Sequence, residues 1–350
     1  MKLTPISGLQ PFKKDILLVF PGALGDFICF LPALEKLVRG KRVELFARAE
    51  YADLAPVNVA TYSLERYEIS RLFVSGAEED HRLRNFFGSY TYVYSWMGSS
   101  QTDFVSHLRH LTRGKVRIFP FSPSRQQMPM VDYYLSCVGE KPLKNNYPKI
   151  PLQSDALDWC RKFWQRHGLE GKEILLLAPG SGAKEKNWPI QFYRVVAEWW
   201  EKKFGRKVMV LLGPVEEERG EIETSWDDTL VVRSLNLANV VALLSRCDLY
   251  LGNDSGITHL AAAIGIQTVA LFGPTDPRQW RPNGMRVRVL TQNMECSPCF
   301  DSNKNVCPHR ECLTLLSPVE VIKGLEEAMR GTPAVSEVET AFLTRGGCRD

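Results

Sequence analysis

The residues from Leu249 to Ile264, LYLGNDSGITHLAAAI, set Asn, Asp, Ser, Gly and His between an apolar run and a run of small residues. The pattern reads as strand, turn and helix. Asn253 and Asp254 carry side chains that favour turns and helix N-caps, and Ser255 and Gly256 expose backbone N–H groups at the start of the helix. Unpaired amides and the positive end of the helix dipole favour a phosphate there, and Gly256 lets a ligand approach the backbone. Taken alone, the stretch reads equally as an Asx-capped helix of an ordinary α/β protein. A second stretch changes the balance. EILLLAPGSGAKEKNWPIQFYRVVAEWW joins a buried-looking strand, Glu173 to Ala178, through a Gly/Ser turn with charged side chains to a helix opened by Pro189. Two strand-to-helix turns carrying Gly, Ser and Lys in one half of a chain suit a diphosphate bound at the carboxyl edge of a parallel sheet.

The elements that would position these turns alternate along the chain. Ile16 to Phe20 is strand-like and is followed by a glycine turn, Pro21 to Asp26, and a helix ending at Gly40. Strands are expected at Arg42 to Ala47, Thr91 to Trp96 and Val116 to Phe119, with a helix at Asp103 to Leu111. Residues 51–90 have no clean period. The segment KPLKNNYPKIPLQ, 141–153, has the Pro, Asn and Lys content of a linker, which divides the chain into units 1–150 and 151–331 and a loose tail, 332–350. Beyond the linker, Asp155 to His167 reads as a helix. Strand and helix then alternate at 173–178, 190–204, 207–212, 216–225, 229–232, 237–246, 248–251, 255–264 and 267–272, with a last helix from Pro318 to Arg330. The fold class is α/β, two doubly wound parallel-sheet units.

The 350 residues suffice for two domains, and 44% hydrophobic with 24% charged residues is a globular composition. A formal charge of +4 without a Lys/Arg-rich run gives no nucleic-acid arm but suits anionic substrates or an anionic membrane surface. No apolar run reaches the ~20 residues of a membrane span, and MKLTPISGLQ has no signal-peptide pattern, so the expected location is the cytoplasm. Of nine cysteines, Cys29, Cys137, Cys160 and Cys247 stand singly among apolar neighbours and are read as core. Cys296, Cys299, Cys307 and Cys312 form C-x2-C-x7-C-x4-C, with His309 among them. In a reducing compartment they are either ligands of a structural tetrahedral zinc or a loop of reduced thiols.

FPGALGD, PGSGAKEKNWP and GNDSGITHLAAAIGIQTVALFGPTDP, in this order, resemble glycosyltransferase family nine, whose best-known members are ADP-heptose:lipopolysaccharide heptosyltransferases. The resemblance spans about residues 15–330 and implies the GT-B fold, two Rossmann-like domains across a cleft, acceptor on the first and nucleotide-sugar on the second. It implies that Asp26 is the general base that takes the acceptor's proton, where the residue alone also reads as a cap of the helix beginning at Phe27. It implies that Lys186, beside Lys184, stabilises the donor diphosphate, and that Ser181, Gly182, Ser255 and Gly256 contact phosphate. Asp254 falls to the donor sugar's hydroxyls, His259 to the phosphate side or to packing against the turn, and Glu216 to the ribose, with Glu217 and Glu218 adjacent. Leu235 to Leu237 falls at the base pocket. Phe20 departs from the pattern, standing where many members carry a basic residue.

The expected function is therefore an inverting, metal-independent sugar transferase needing no catalytic cofactor. Its partners are a nucleotide-diphosphate sugar, ADP-heptose first, and a lipopolysaccharide-core or related glycan acceptor met at the inner face of the cytoplasmic membrane. A nucleotide-sugar epimerase on the same scaffold and a non-catalytic nucleotide-sugar-binding relative are the alternatives.

Overall fold

The computed structural model describes residues 14–123, 128–142, 145–219, 226, 229–299, 307 and 309–331. The expected loose tail, the last residues of the 216–225 helix and most of the loop between Cys299 and Cys307 lie outside the described residues.

The first sheet contains β1 (Lys14–Val19), β2 (Val43–Ala47), β3 (Val59–Ser63), β4 (Tyr90–Ser95) and β5 (Lys115–Ile118), ordered β3-β2-β1-β4-β5 with every pairing parallel. The second contains β6 (Ile174–Ala178), β7 (Lys207–Leu211), β8 (Leu230–Val232), β9 (Leu249–Asn253), β10 (Gln267–Phe272) and β11 (Val287–Thr291), ordered β11-β10-β9-β6-β7-β8 and also parallel throughout. Each is doubly wound. In both, strand order reverses beside the first strand, and such a reversal opens a crevice at the strands' carboxyl ends. In the second sheet the crevice lies between β6 and β9, whose following turns are the two Gly/Ser turns singled out in the sequence.

Apolar side chains fill both faces of each sheet, as parallel sheets covered by helices require. One core cluster runs without interruption from the first unit to the second, joining Ile16, Leu18 and Phe30 to Leu176, Leu243, Tyr250 and Leu260. The helix Leu24–Leu37 packs on the helix Gly256–Ile264 across the two units. Further ties are Asn283 Nδ2 donating to the Asn146 carbonyl at 2.9 Å and the Lys149 N–H donating to Glu35 at 3.1 Å, so the 141–153 segment is pinned on both sides.

Phe20 follows β1 and is fully buried, stacked on Phe30 with centroids 4.4 Å apart and edge-on to Tyr134 and Trp96. Phe20 thus stands in the middle of an aromatic cluster. Most expected elements form within a residue or two of their expected ends; the first helix runs Leu24–Leu37, three residues ahead of the Phe27 to Gly40 expected. Sequence periodicity did not isolate β3, β11 and the helix Met130–Cys137.

Candidate active site

The turn after β1 delivers Asp26 at the third position of the helix Leu24–Leu37. Its Oδ2 accepts the Ala23 N–H at 3.1 Å, while Oδ1 is buried and has no hydrogen-bond partner among the described residues. The helix begins at Leu24, not at the expected Phe27, so Asp26 caps it from within the first turn through Oδ2, and Oδ1 takes no part in that cap. Burial raises its pKa from 3.8 to about 6, against the Ala23 N–H and the charge of Lys186, which lower it. Asp254 raises it further, so side chains of the second unit act on this first-unit acid.

Lys186 ends a short 3-10 turn, Lys184–Lys186, after β6. Its Nζ donates to Asp254 Oδ2 at 2.9 Å, and Thr275 Oγ1 donates to the same oxygen at 2.8 Å. The backbone carbonyl of the neighbouring Lys184 accepts from Arg310 Nη1 at 2.9 Å. Lys186 thus stands between Asp254 and the Asp26 carboxylate on which its charge acts.

Ser255 is the N-cap of the helix Gly256–Ile264, its Oγ accepting the Thr258 N–H. At Gly256 the two units touch: a Cβ there would stand 2.6 Å from Leu24 Cβ. Reciprocally, a Cβ on Gly25 would stand 3.2 Å from His259 Cδ2 and 3.7 Å from Gly256 Cα. Two helix N-termini, one from each unit, thus converge on one junction, and the positive ends of their dipoles add there. His259, in the second turn of the later helix, is buried, which lowers its pKa to about 4 and keeps the imidazole neutral at pH 7. Its Nδ1 lies 3.5 Å from Cys29 Sγ.

Around the Gly180–Gly182 turn, the buried Ser181 hydroxyl is turned into its own loop, against the Ala183 carbonyl and Asn187 Oδ1 at 2.7 and 2.6 Å. Gly182 is exposed, and a Cβ there would meet nothing. Glu216 is buried; its Oε2 accepts the Gly213 N–H at 2.8 Å and its carboxylate lies where a Cβ on Gly180 would clash. Glu217 instead bonds Ser234, which separates the two glutamates that the sequence left side by side. Leu235 and Leu237 lie against the shared core.

Three contributors were not read as such in the sequence. Thr275 fixes Asp254 from the GPTDP turn. Asn253 is fully buried at the end of β9, not at a cap, and ties the β6 loop down by accepting from the Trp188 N–H at 2.9 Å and donating to the Pro179 carbonyl at 2.7 Å. Cys29 was assigned to the core and is buried, but its sulfur faces His259. Thr275 and Asn253 both lie inside the third motif, and their place in it is the signal that could have found them. The last required knowing the docking of the two units.

Among the described residues no three His, Cys, Asp or Glu side chains are arranged to hold one metal ion. Cys296 is exposed and Cys312 buried. Burial, with the nearby Cys299, Cys296 and Cys307 thiols adding to it, pushes Cys312 up to about 11. The three thiols thus stand near Cys312, and most of the loop that joins Cys299 to Cys307 lies outside the described residues.

The family model of glycosyltransferase family 9 (heptosyltransferase) matches residues 117–309, more than half of the chain. The chain belongs to glycosyltransferase family 9. The lipooligosaccharide heptosyltransferase 2 of Campylobacter jejuni is 29% identical over 175 residues, 46% of this chain and 53% of that protein. The chain thus spans about half the length of the curated relatives it matches first. The crystal structure of a family 9 glycosyl transferase from Veillonella parvula superposes with a TM-score of 0.72 at 20% identity, covering 93% of this chain and all of that one. The E. coli ADP-heptose lps heptosyltransferase II superposes with a TM-score of 0.69 at 19% identity, covering 91% and 99%. The fold is GT-B, and the units that converge on Asp26, Lys186 and Gly256 are its two Rossmann-like halves.

Proposed function

We propose that this family 9 protein is an inverting heptosyltransferase that moves heptose from ADP-heptose to a hydroxyl of a lipopolysaccharide core or a related glycan. The observation that carries the reading is the buried, unpartnered Oδ1 of Asp26, held on the first unit and within electrostatic reach of Lys186 and Asp254 on the second. The domains are taken as 1–150 for the acceptor and 151–331 for the donor. The names of the Campylobacter and E. coli proteins support the sugar, the donor and the acceptor class.

In this reading Asp26 Oδ1 removes the acceptor hydroxyl's proton as its oxygen attacks the anomeric carbon from the face opposite the diphosphate. The bond from that carbon to the phosphate oxygen breaks, and its electron pair leaves with ADP. One displacement inverts the centre. Lys186 and the N–H groups of Gly182, Ser255 and Gly256 offset the charge growing on the leaving group, the part that a divalent cation plays elsewhere. Asp254 orients Lys186 and faces the sugar hydroxyls, neutral His259 stands on the phosphate side, and Glu216 marks the ribose end. No helix among the described residues is long and apolar enough to cross a membrane, and the protein is placed at the cytoplasmic face, where a glycolipid acceptor is presented.

A thermal-shift panel of nucleotide-sugars tests the donor. A ligand at 100 times its dissociation constant adds about 2.7 kcal/mol, and ADP-heptose is expected to give the largest shift. A larger shift with a uridine or guanosine diphosphate sugar rejects it. Product of inverted anomeric configuration, formed in EDTA at the same rate, is expected from the chemistry. Retention, or a loss in EDTA that magnesium restores, rejects the mechanism.

A further inference from the structure

We propose that Cys29 is a positioning residue whose thiol sets the tautomer of His259. Cys29 lies on the first unit's helix and His259 on the second unit's, and Sγ and Nδ1 are 3.5 Å apart with both residues buried. Burial holds the thiol protonated, and the nearby Asp26 and Asp254 add to this. The same burial keeps the imidazole neutral. Between a thiol and a neutral imidazole the better bond is S–H donating to the nitrogen lone pair, because sulfur is a weak acceptor. Nδ1 is then the acceptor and the ring proton resides on Nε2. That edge of the ring lies beside Gly25, where a Cβ would come within 3.5 Å of Nε2. The ring therefore presents an N–H to the junction of the two helix N-termini. If the transferase reading of this site is right, on which this step rests, that N–H donates to a diphosphate oxygen, and it does so only when the two units are docked, because the thiol comes from the other unit.

Long-range proton–nitrogen correlation spectra of the full chain with 15N-labelled histidine read the tautomer directly, and His259→Gln identifies the signals. The wild type is expected to carry the proton on Nε2. Cys29→Ala is expected to populate the Nδ1–H form and to raise KM for the donor about five-fold, the effect of one weakened hydrogen bond, while Cys29→Ser restores both values because a hydroxyl donates as the thiol does. A wild-type proton on Nδ1, or a Cys29→Ala spectrum like the wild type's, overturns the assignment. Should Cys29→Ala not fold, the wild-type and Cys29→Ser spectra decide it. A tautomer that follows Cys29 in a protein that transfers no sugar would reject the transferase reading and leave the positioning role. Efficient transfer with the proton on Nδ1 would reject the positioning role alone.

Discussion

Lys186 Nζ lies 2.9 Å from Asp254 Oδ2 on a buried carboxylate that Thr275 also holds. The cation of the crevice is thus kept in place by an acid before any donor arrives, and its charge is shared, not newly recruited, when a diphosphate binds. Lys186→Ala removes charge from ground state and transition state alike, so both KM and kcat should suffer. ADP affinity is expected to fall at least ~10-fold, and stability by about 1.5–3 kcal/mol because Asp254 loses a charged partner. Calorimetric titration with ADP and urea unfolding measure the two effects, and unchanged ADP affinity would remove Lys186 from the donor site.

For Asp26 the folded pKa, about 6, lies above the unfolded 3.8. The folded state therefore holds the proton over a pH range in which the unfolded state has lost it. The stability this contributes is fully present below about pH 4 and is lost as pH rises through 6, a difference of about 3 kcal/mol for two pKa units. Asp26→Asn should thus be more stable than the wild type at pH 7.5 and equal to it below pH 4, by urea unfolding at each pH. As a base, Asp26 must be ionised, so kcat/KM should rise with unit slope up to about pH 6 and then level off. The Asn variant should lose at least ~100-fold in turnover with donor affinity nearly intact. Wild-type-like turnover in that variant would sink the role.

Gly256 abuts Leu24, and an added methyl would sit 2.6 Å from Leu24 Cβ. Gly256→Ala gains helix propensity but overpacks the junction, with a net loss of about 1–3 kcal/mol and misplacement of Asp26 against Lys186. Turnover is expected to drop at least ~10-fold, since misplacing a catalytic group by an ångström is this costly. Gly182→Ala, with open space at its Cβ, is the control and should stay within about 0.5 kcal/mol of the wild type. Equal behaviour of the two variants would show that the junction is not tight.

A basic residue at position 20 should not be accommodated. Phe20→Arg buries a guanidinium among Phe30, Trp96 and Tyr134 and should cost more than about 3 kcal/mol, whereas Phe20→Leu should cost about 1–2. Urea midpoints of the two variants check this, and a soluble, stable Phe20→Arg protein would mean that the cluster is less closed than described.

The parallel sheets and their crevices were legible because each turn carries its own local signal: apolar strand, glycine, capping residue, helix. Ser255 sits within such a turn and could be named from it, whereas Asp26 and Lys186 were singled out by the family resemblance of the motifs around them. β3 and β11 are partly exposed edge strands, whose mixed polarity hides their period. Thr275, Asn253 and Cys29 act through partners 21 to 230 positions away, and nothing local encodes such a distance.

The contact between the Gly25 turn and the Gly256 helix also constrains the two motifs as a pair. A Cβ at Gly256 would stand 2.6 Å from Leu24 Cβ and one at Gly25 3.2 Å from His259 Cδ2, so a side chain added in either half is felt first by the other. Each glycine turn therefore carries part of the shape specification of its opposite number.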